Sequence, residues 1–156
     1  MSGIINSVGS KSGIISDGLD IYAQLNNCSQ TYGDMTFGTL TGDSTNLTQS
    51  GANVTLVKSG VYFITCCFNW YMTSGEERYC FGHITSVSGS YGSVALSTCN
   101  DQVAREESDN SYGGATATFV GTFAASDVIK FNYSSGSGGD VTNRADSHAS
   151  IFRIFN

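Results

Sequence analysis

Two histidines and five cysteines are the side chains of this protein best suited to nucleophilic or metal chemistry. Cys80 lies three positions before His83, and His148 precedes the last apolar run. An imidazole beside a thiol can activate it as a nucleophile, and both side chains are common zinc ligands. The sequence has no Cys-x-x-Cys pair, so the spacing does not match a zinc module. We expect structural histidines, and a Cys–His couple assembled by the fold is the alternative.

Carboxylates form two clusters, at Glu76–Glu77 and at Glu106–Asp109, each beside an arginine. Carboxylate oxygens are ligands that Ca²⁺ prefers, but no Asp-x-Asp-x-Asp-Gly run accompanies them. Charged runs of this kind are mostly solvated loop residues. We therefore predict no metal and no cofactor, and a calcium site is the alternative interpretation of the two clusters.

The common catalytic signatures are absent from the sequence. There is no Gly-x-x-x-x-Gly-Lys, no Gly-x-Gly-x-x-Gly, no His-Glu-x-x-His and no Gly-x-Ser-x-Gly. The glycine-rich tract 134–140 is not followed by a helical pattern, which indicates a hairpin loop and not a phosphate-binding loop. We predict that the protein is not an enzyme, and we assign no catalytic residue.

Composition argues against two classes of partner. The net charge is −6 and the seven Lys and Arg residues are scattered singly, whereas nucleic-acid binding needs clustered cations. No apolar run reaches the ~18 residues of a membrane span, and residues 1–6 lack the layout of a signal peptide. We expect neither a nucleic-acid nor a membrane partner, and synthesis in the cytosol, where an odd number of cysteines would stay reduced.

Short β-branched and aromatic runs between Gly, Ser, Asn and Asp are the elements that must position these side chains. The sequence has no proline and 19 glycines, and no long stretch repeats apolar residues at helical spacing. We predict an all-β protein whose eight strands form a jelly-roll sandwich. The predicted strands are residues 35–40, 53–57, 60–72, 78–86, 93–99, 115–123, 127–133 and 148–155.

The predicted strand at 61–70 is apolar on both faces, with Tyr62 on one face and Phe63 on the other. The last strand repeats this pattern: its odd positions, Phe155 included, face one way and its even positions face the other. A strand with one solvated face would alternate apolar and polar residues, so we expect other subunits to cover one side. The predicted trimer interface comprises Tyr62, Phe63, Phe152, Ile154 and Phe155.

Residues 1–17 differ in character and are predicted to form an extended anchoring arm, which precedes a jelly-roll domain over 18–156. The arm is rich in Gly and Ser, and Ser-Gly-Ile-Ile at positions 2–5 returns ten positions later. Paired isoleucines in such a setting suit apolar anchors, and the alternative is that they pack along the protein's own sheet as an edge strand. The predicted anchoring residues are Ile4, Ile5, Ile14 and Ile15.

From Val54 to the C-terminus the order of features resembles the C1q/TNF-like jelly-roll family, whose members form compact homotrimers. Val57–Ile64 resembles the family's Gly-Val-Tyr-Phe segment, which leads into a long central strand. Phe119–Ile129 is similar to its strand, small polar turn with Asp, and returning strand. Ala149–Phe155 resembles the strand that closes the domain at the trimer axis. The resemblance implies a homotrimeric jelly roll.

The arm and the Ser/Thr/Asn/Gly-rich composition look like those of bacteriophage virion proteins, in which such jelly rolls serve as capsid decorations or tail-fibre tips. Only 13% of residues are charged, and an uncharged polar surface costs less to desolvate in a packed assembly. We expect a capsid decoration or cement protein that binds the major capsid protein or another virion protein. The alternative is a tail-fibre or spike tip that binds host glycans through exposed aromatics such as Tyr91 and Tyr112. An enzyme with a pocket around a cysteine or histidine is the third hypothesis.

Overall fold

The computed structural model describes residues 22–28, 33–72, 78–103, 111–135 and 141–155. All regular secondary structure within these ranges is β-strand. The strands form two antiparallel sheets, which confirms the predicted all-β class. Within the same ranges, no helix is long and apolar enough to cross a membrane. The strands are β1 (Tyr22–Cys28), β2 (Gly33–Asp34), β3 (Phe37–Gly42), β4 (Leu47–Ser50), β5 (Asn53–Leu56), β6 (Gly60–Met72), β7 (Arg78–Ser88), β8 (Val94–Val103), β9 (Ser111–Phe123), β10 (Asp127–Ser135), β11 (Val141–Asn143) and β12 (His148–Phe155).

The first sheet is built around β6, the strand with two apolar faces. Along one edge β6 pairs with β9 over its whole length, and along the other it pairs with β12 and β11. The strands β1 and β3 follow β12 outward. In the second sheet the order is β4-β5-β10-β7-β8, and β2 pairs with β10 beside β5. Both sheets are antiparallel throughout the described strands.

The main pairings are nested along the sequence. The pairs are β1 with β12, β5 with β10, β6 with β9 and β7 with β8. The first half of the chain therefore runs back along the second half as one long hairpin. Successive pairs of this hairpin fall alternately in the first and second sheets, so the hairpin is wrapped into a sandwich.

The core lies between the two sheets and follows the two-residue period of the strands. In β6 the even positions from 60 to 70 are buried, and they include Phe68 and Trp70; in β10 the buried positions include Phe131 and Tyr133. Trp70 and Tyr133 lie with ring centroids 6.5 Å apart. Gly82 of β7 faces the ring of Phe68, and a Cβ at this position would clash with that ring.

One long strand was missing from the sequence prediction. β1 contains two Asn residues, a type that is depleted in strands, so its composition conceals it. Ala23 and Leu25 have no exposed surface and lie two positions apart, which is the period of a strand with one face in the core. The proposed arm, residues 1–17, lies outside the described residues.

Candidate functional site

Four apolar side chains form a row across the outer face of the first sheet, one from each of four neighbouring strands. Val120 of β9 is the register partner of Phe63 of β6, which is the partner of Phe152 of β12, which in turn is the partner of Tyr22 of β1. The ring centroids of Phe63 and Phe152 are 6.0 Å apart, and those of Phe152 and Tyr22 are 4.9 Å apart. Val120 is 54% exposed and Tyr22 is 41% exposed. We call this feature the apolar row.

Phe155 extends the apolar row. Strict alternation along β12 did not predict this position for its side chain. A β-bulge between Arg153 and Phe155 adds one residue to β12, so that Phe155 pairs with Val61 on the outer face. The prediction that Phe155 shares the face of Ile151 was therefore wrong. Phe155 is 42% exposed, and Ile154, within the bulge, is half-buried.

Tyr62, the remaining predicted interface residue, lies in the core. Its ring has no exposed surface and meets Phe123 edge to face, with centroids 5.8 Å apart. Its hydroxyl donates a hydrogen bond to the carbonyl oxygen of Lys58 at 2.7 Å. A side chain that is fully covered within one subunit has no area left for a second subunit to bury.

A pocket of about 370 Å³ lies on the same outer face, farther along β6. Tyr71 lines it, eight residues and so roughly 26 Å along β6 from Phe63. Tyr71 is the register partner of Tyr112 on β9 and of Thr142 on β11. The rings of Tyr71 and Tyr112 lie 5.2 Å apart, and Tyr112 is 60% exposed. The pocket thus has an aromatic wall that solvent reaches.

The turn between β11 and β12 supplies the charged side of the pocket. Arg144 Nε donates to Asp146 Oδ1 at 3.0 Å, and the guanidinium carbon of Arg144 lies 4.7 Å from the ring centroid of Tyr112. The backbone of the turn is held to β6, since Arg144 N donates to the Asn69 carbonyl oxygen at 2.9 Å. Ser147, fully buried, donates its hydroxyl to Asn143 Oδ1 at 2.9 Å. These contacts preorganise the Arg144–Asp146 pair.

The second aromatic proposed for glycan binding, Tyr91, has a different environment. Its ring packs edge to face against Phe119 and Phe123, at 5.5 Å and 5.2 Å between centroids. It therefore covers part of the core from the β7–β8 turn, whereas Tyr112 lies at a pocket.

Cys80 and His83 point to opposite faces of β7 and cannot form a couple. Cys80 is buried in the core, where desolvation and, secondarily, Asp101 raise the pKa of its thiol to about 11. The His83 ring lies on the outer face of the second sheet, with Nδ1 3.0 Å from Thr98 Oγ1 and Nε2 3.3 Å from Ser134 Oγ. Partial burial lowers the pKa of His83, because it disfavours the charged imidazolium.

The fold instead places His148 opposite Cys67, a juxtaposition that sequence spacing does not indicate. The Cys67 thiol makes its hydrogen bond to Asn69 Oδ1, at 3.8 Å. His148 Nδ1 lies 3.1 Å from the carbonyl oxygen of Asp146 and must therefore be the donor. The two side chains are thus oriented by other partners, and not by each other.

Several predicted site residues lie outside the described residues: the anchoring isoleucines Ile4, Ile5, Ile14 and Ile15, and both acidic clusters. Among the described residues, no three His, Cys, Asp or Glu side chains are arranged to hold a metal ion. All five cysteines lie in the described ranges, and no disulfide joins them.

Comparison with known proteins gives no assignment. No protein-family model matches the chain, and no curated protein matches it.

Proposed function

We propose that this protein is a non-enzymatic structural protein of a bacteriophage virion, which assembles as a homotrimer and decorates the capsid. The observation that carries the proposal is the apolar row, continued by Phe155. Contiguous apolar side chains on the outside of a soluble sandwich favour association, because their burial removes apolar area from water at about 25 cal/mol per Å². The row crosses the full breadth of four strands, which is the shape of a surface that packs against another sheet.

The strand connectivity supports the finer proposal that the sandwich is a jelly roll. A jelly roll is a double-sheet sandwich whose antiparallel strands are connected as Greek keys. The nested pairing of β1 with β12, β5 with β10, β6 with β9 and β7 with β8 fits a wrapped hairpin of that kind. Together with the sequence resemblance to the C1q/TNF-like family, this connectivity favours three subunits.

Attachment to the capsid is assigned to the N-terminal arm. Two isoleucine pairs separated by ten residues span roughly 33 Å in extended chain, enough to reach across a neighbouring subunit. Each anchor by itself binds weakly, but three arms on one trimer act together through effective concentration. The partner is then the major capsid protein or another virion protein, and assembly takes place in the host cytoplasm.

Light scattering on the purified protein tests the trimer. The expected mass is three times the 16.5 kDa of one chain. A stable monomer at micromolar concentration would contradict the proposal.

Attachment is tested with capsids that lack the protein. In the full-length chain, Ile4→Ser, Ile5→Ser, Ile14→Ser and Ile15→Ser together are expected to leave the trimer intact and to abolish co-sedimentation with capsids. Lys11→Ala, in the same arm, is the matched control and should bind normally. If the serine variant still occupies every binding site on the capsid, the attachment surface lies on the sandwich and not on the arm.

The pocket between Tyr112 and Arg144 favours a second candidate function, a tail-fibre or spike tip that binds glycans of the host surface. Immunogold labelling of virions separates the two candidates. Label over the head supports the decoration protein, and label confined to the tail supports the tip.

A further inference from the structure

The pocket lined by Tyr71, Tyr112, Arg144 and Asp146 combines two kinds of recognition group within one small volume. Tyr112 is the most exposed large apolar side chain of the described residues, at 60%. An exposed aromatic ring offers a flat apolar surface with a polar rim. The carboxylate of Asp146 accepts hydrogen bonds and the guanidinium of Arg144 donates them, and both lie beside that ring.

The polar groups already contact one another without a ligand. Arg144 has a partner in three directions: Asp146 at its Nε, the Tyr112 ring at its guanidinium and the Asn69 carbonyl oxygen at its backbone N–H. The buried hydroxyl of Ser147 also accepts a hydrogen bond from the backbone N–H of Asn69, at 2.9 Å. A preformed site loses less conformational freedom on binding, which is the usual condition of a small-molecule pocket.

The volume of about 370 Å³ falls within the range of small-ligand sites. A second depression of about 260 Å³ adjoins the pocket and shares Tyr112, Arg144 and Asp146 with it. Two adjoining depressions that share one aromatic ring suit a ligand built from repeated rings of similar size.

Charge narrows the class of ligand. Arg144 and Asp146 neutralise each other at 3.0 Å, so the pair carries no net charge toward a ligand. An anionic ligand would have to approach the Asp146 carboxylate on a protein of net charge −6. A neutral ligand with neighbouring hydroxyl groups can instead accept from Arg144 and donate to Asp146 with no charge penalty.

We propose that this pocket binds a neutral pyranose sugar, whose C–H face packs on the part of the Tyr112 ring that Arg144 and Tyr71 leave exposed and whose adjacent hydroxyls bind Arg144 and Asp146. The inference rests on the second candidate function, glycan binding, and names the sugar class and the groups that bind it. It requires neither the trimer nor attachment to a capsid, so its failure leaves the decoration proposal standing.

Saturation-transfer NMR on the full-length protein tests the proposal. The probes are the methyl glycosides of glucose, galactose, mannose and N-acetylglucosamine, with methyl glucuronide as the anionic comparison. Transfer to the ring protons of at least one neutral glycoside is expected. No transfer to any neutral glycoside, or preferential transfer to the glucuronide, would overturn the proposal.

Variants locate the binding. Tyr112→Ala is expected to raise the Kd of the bound glycoside about tenfold through loss of the stacking surface, whereas Tyr112→Phe should keep the wild-type Kd. Asp146→Asn should weaken binding of the neutral sugar and remove the discrimination against glucuronide. Tyr79→Ala is the matched control, because Tyr79 is a similarly exposed tyrosine, at 54%, on the other sheet. An unchanged Kd in Tyr112→Ala, with an unchanged melting temperature, places binding elsewhere and overturns the assignment.

Discussion

Phe63 and Phe152 lie directly opposite each other on β6 and β12, with ring centroids 6.0 Å apart and ring planes inclined at 59°, on the outside of the sandwich. Both side chains are partly exposed within one chain. Val120 and Tyr22 flank them on the next strands, so the pair forms the centre of the apolar row.

Placing a charge at the centre of this row should separate the subunits of the proposed trimer. Phe152→Asp is expected to reduce the mass in light scattering from three times 16.5 kDa to that of one chain, because an unpaired carboxylate in an apolar interface costs several kcal/mol. Tyr79→Asp, on the other sheet, should remain trimeric. If Phe152→Asp keeps the full oligomeric mass with a normal melting temperature, the apolar row is not the interface.

Asp127 links two turns that close one end of the sandwich. Its buried carboxylate accepts the backbone N–H of Ser90 at 3.1 Å and that of Ala124 at 3.0 Å. Asp127→Ala should lower the free energy of unfolding by about 1–3 kcal/mol, because both donors lose this acceptor. Urea unfolding measures the loss, and Asp127→Asn, which keeps one acceptor oxygen, should lose less. Equal stability of the alanine variant and the wild type would show that water replaces the carboxylate without cost.

Acid should weaken the protein through His83. Its pKa is lowered from 6.5 by burial, so the unfolded chain takes up the proton more readily than the folded chain does. The contribution to stability is present above about pH 6.5 and is lost as the pH falls through this value toward the folded pKa. His83→Gln should therefore lose less in melting temperature than the wild type between about pH 7.5 and pH 5.5. Parallel pH profiles for the two proteins would rule out His83 as the source.

The cysteines should differ widely in reactivity toward a thiol reagent. Cys66 is fully buried, and burial raises the pKa of its thiol well above the ordinary value. Cys67, the next residue, lies on the outer face and is partly exposed. Cys99 is also partly exposed, but burial raises the pKa of its thiol. At about pH 8 the fastest thiol of the native protein should therefore be the one that disappears in Cys67→Ser. Reductant should leave the melting temperature unchanged, whereas a large drop would reveal a disulfide.

The local pattern of the sequence determined the class of fold and several of the strands. The alternation through β6 and the β-branched and aromatic runs of β5, β10 and β12 are properties of neighbouring residues, so they can be detected without knowledge of the fold. The two apolar faces of β6 also predicted that one face packs in the core and that the other presents apolar side chains on the outside. Phe63 of β6 and its partner Phe152 of β12 lie on the outer face of the sheet.

The tertiary structure alone decided which strands are neighbours, and with that the position of each side chain. A bulge in β12 carries Phe155 to the outer face, and the covering of Tyr62 by Phe123 removes it from the surface. The pocket joins Tyr71, Tyr112 and Arg144, which are far apart in sequence and meet only because β9 and β11 pair with opposite edges of β6. Strand pairing depends on contacts between distant segments, and a period of two residues carries no information about which segments these are.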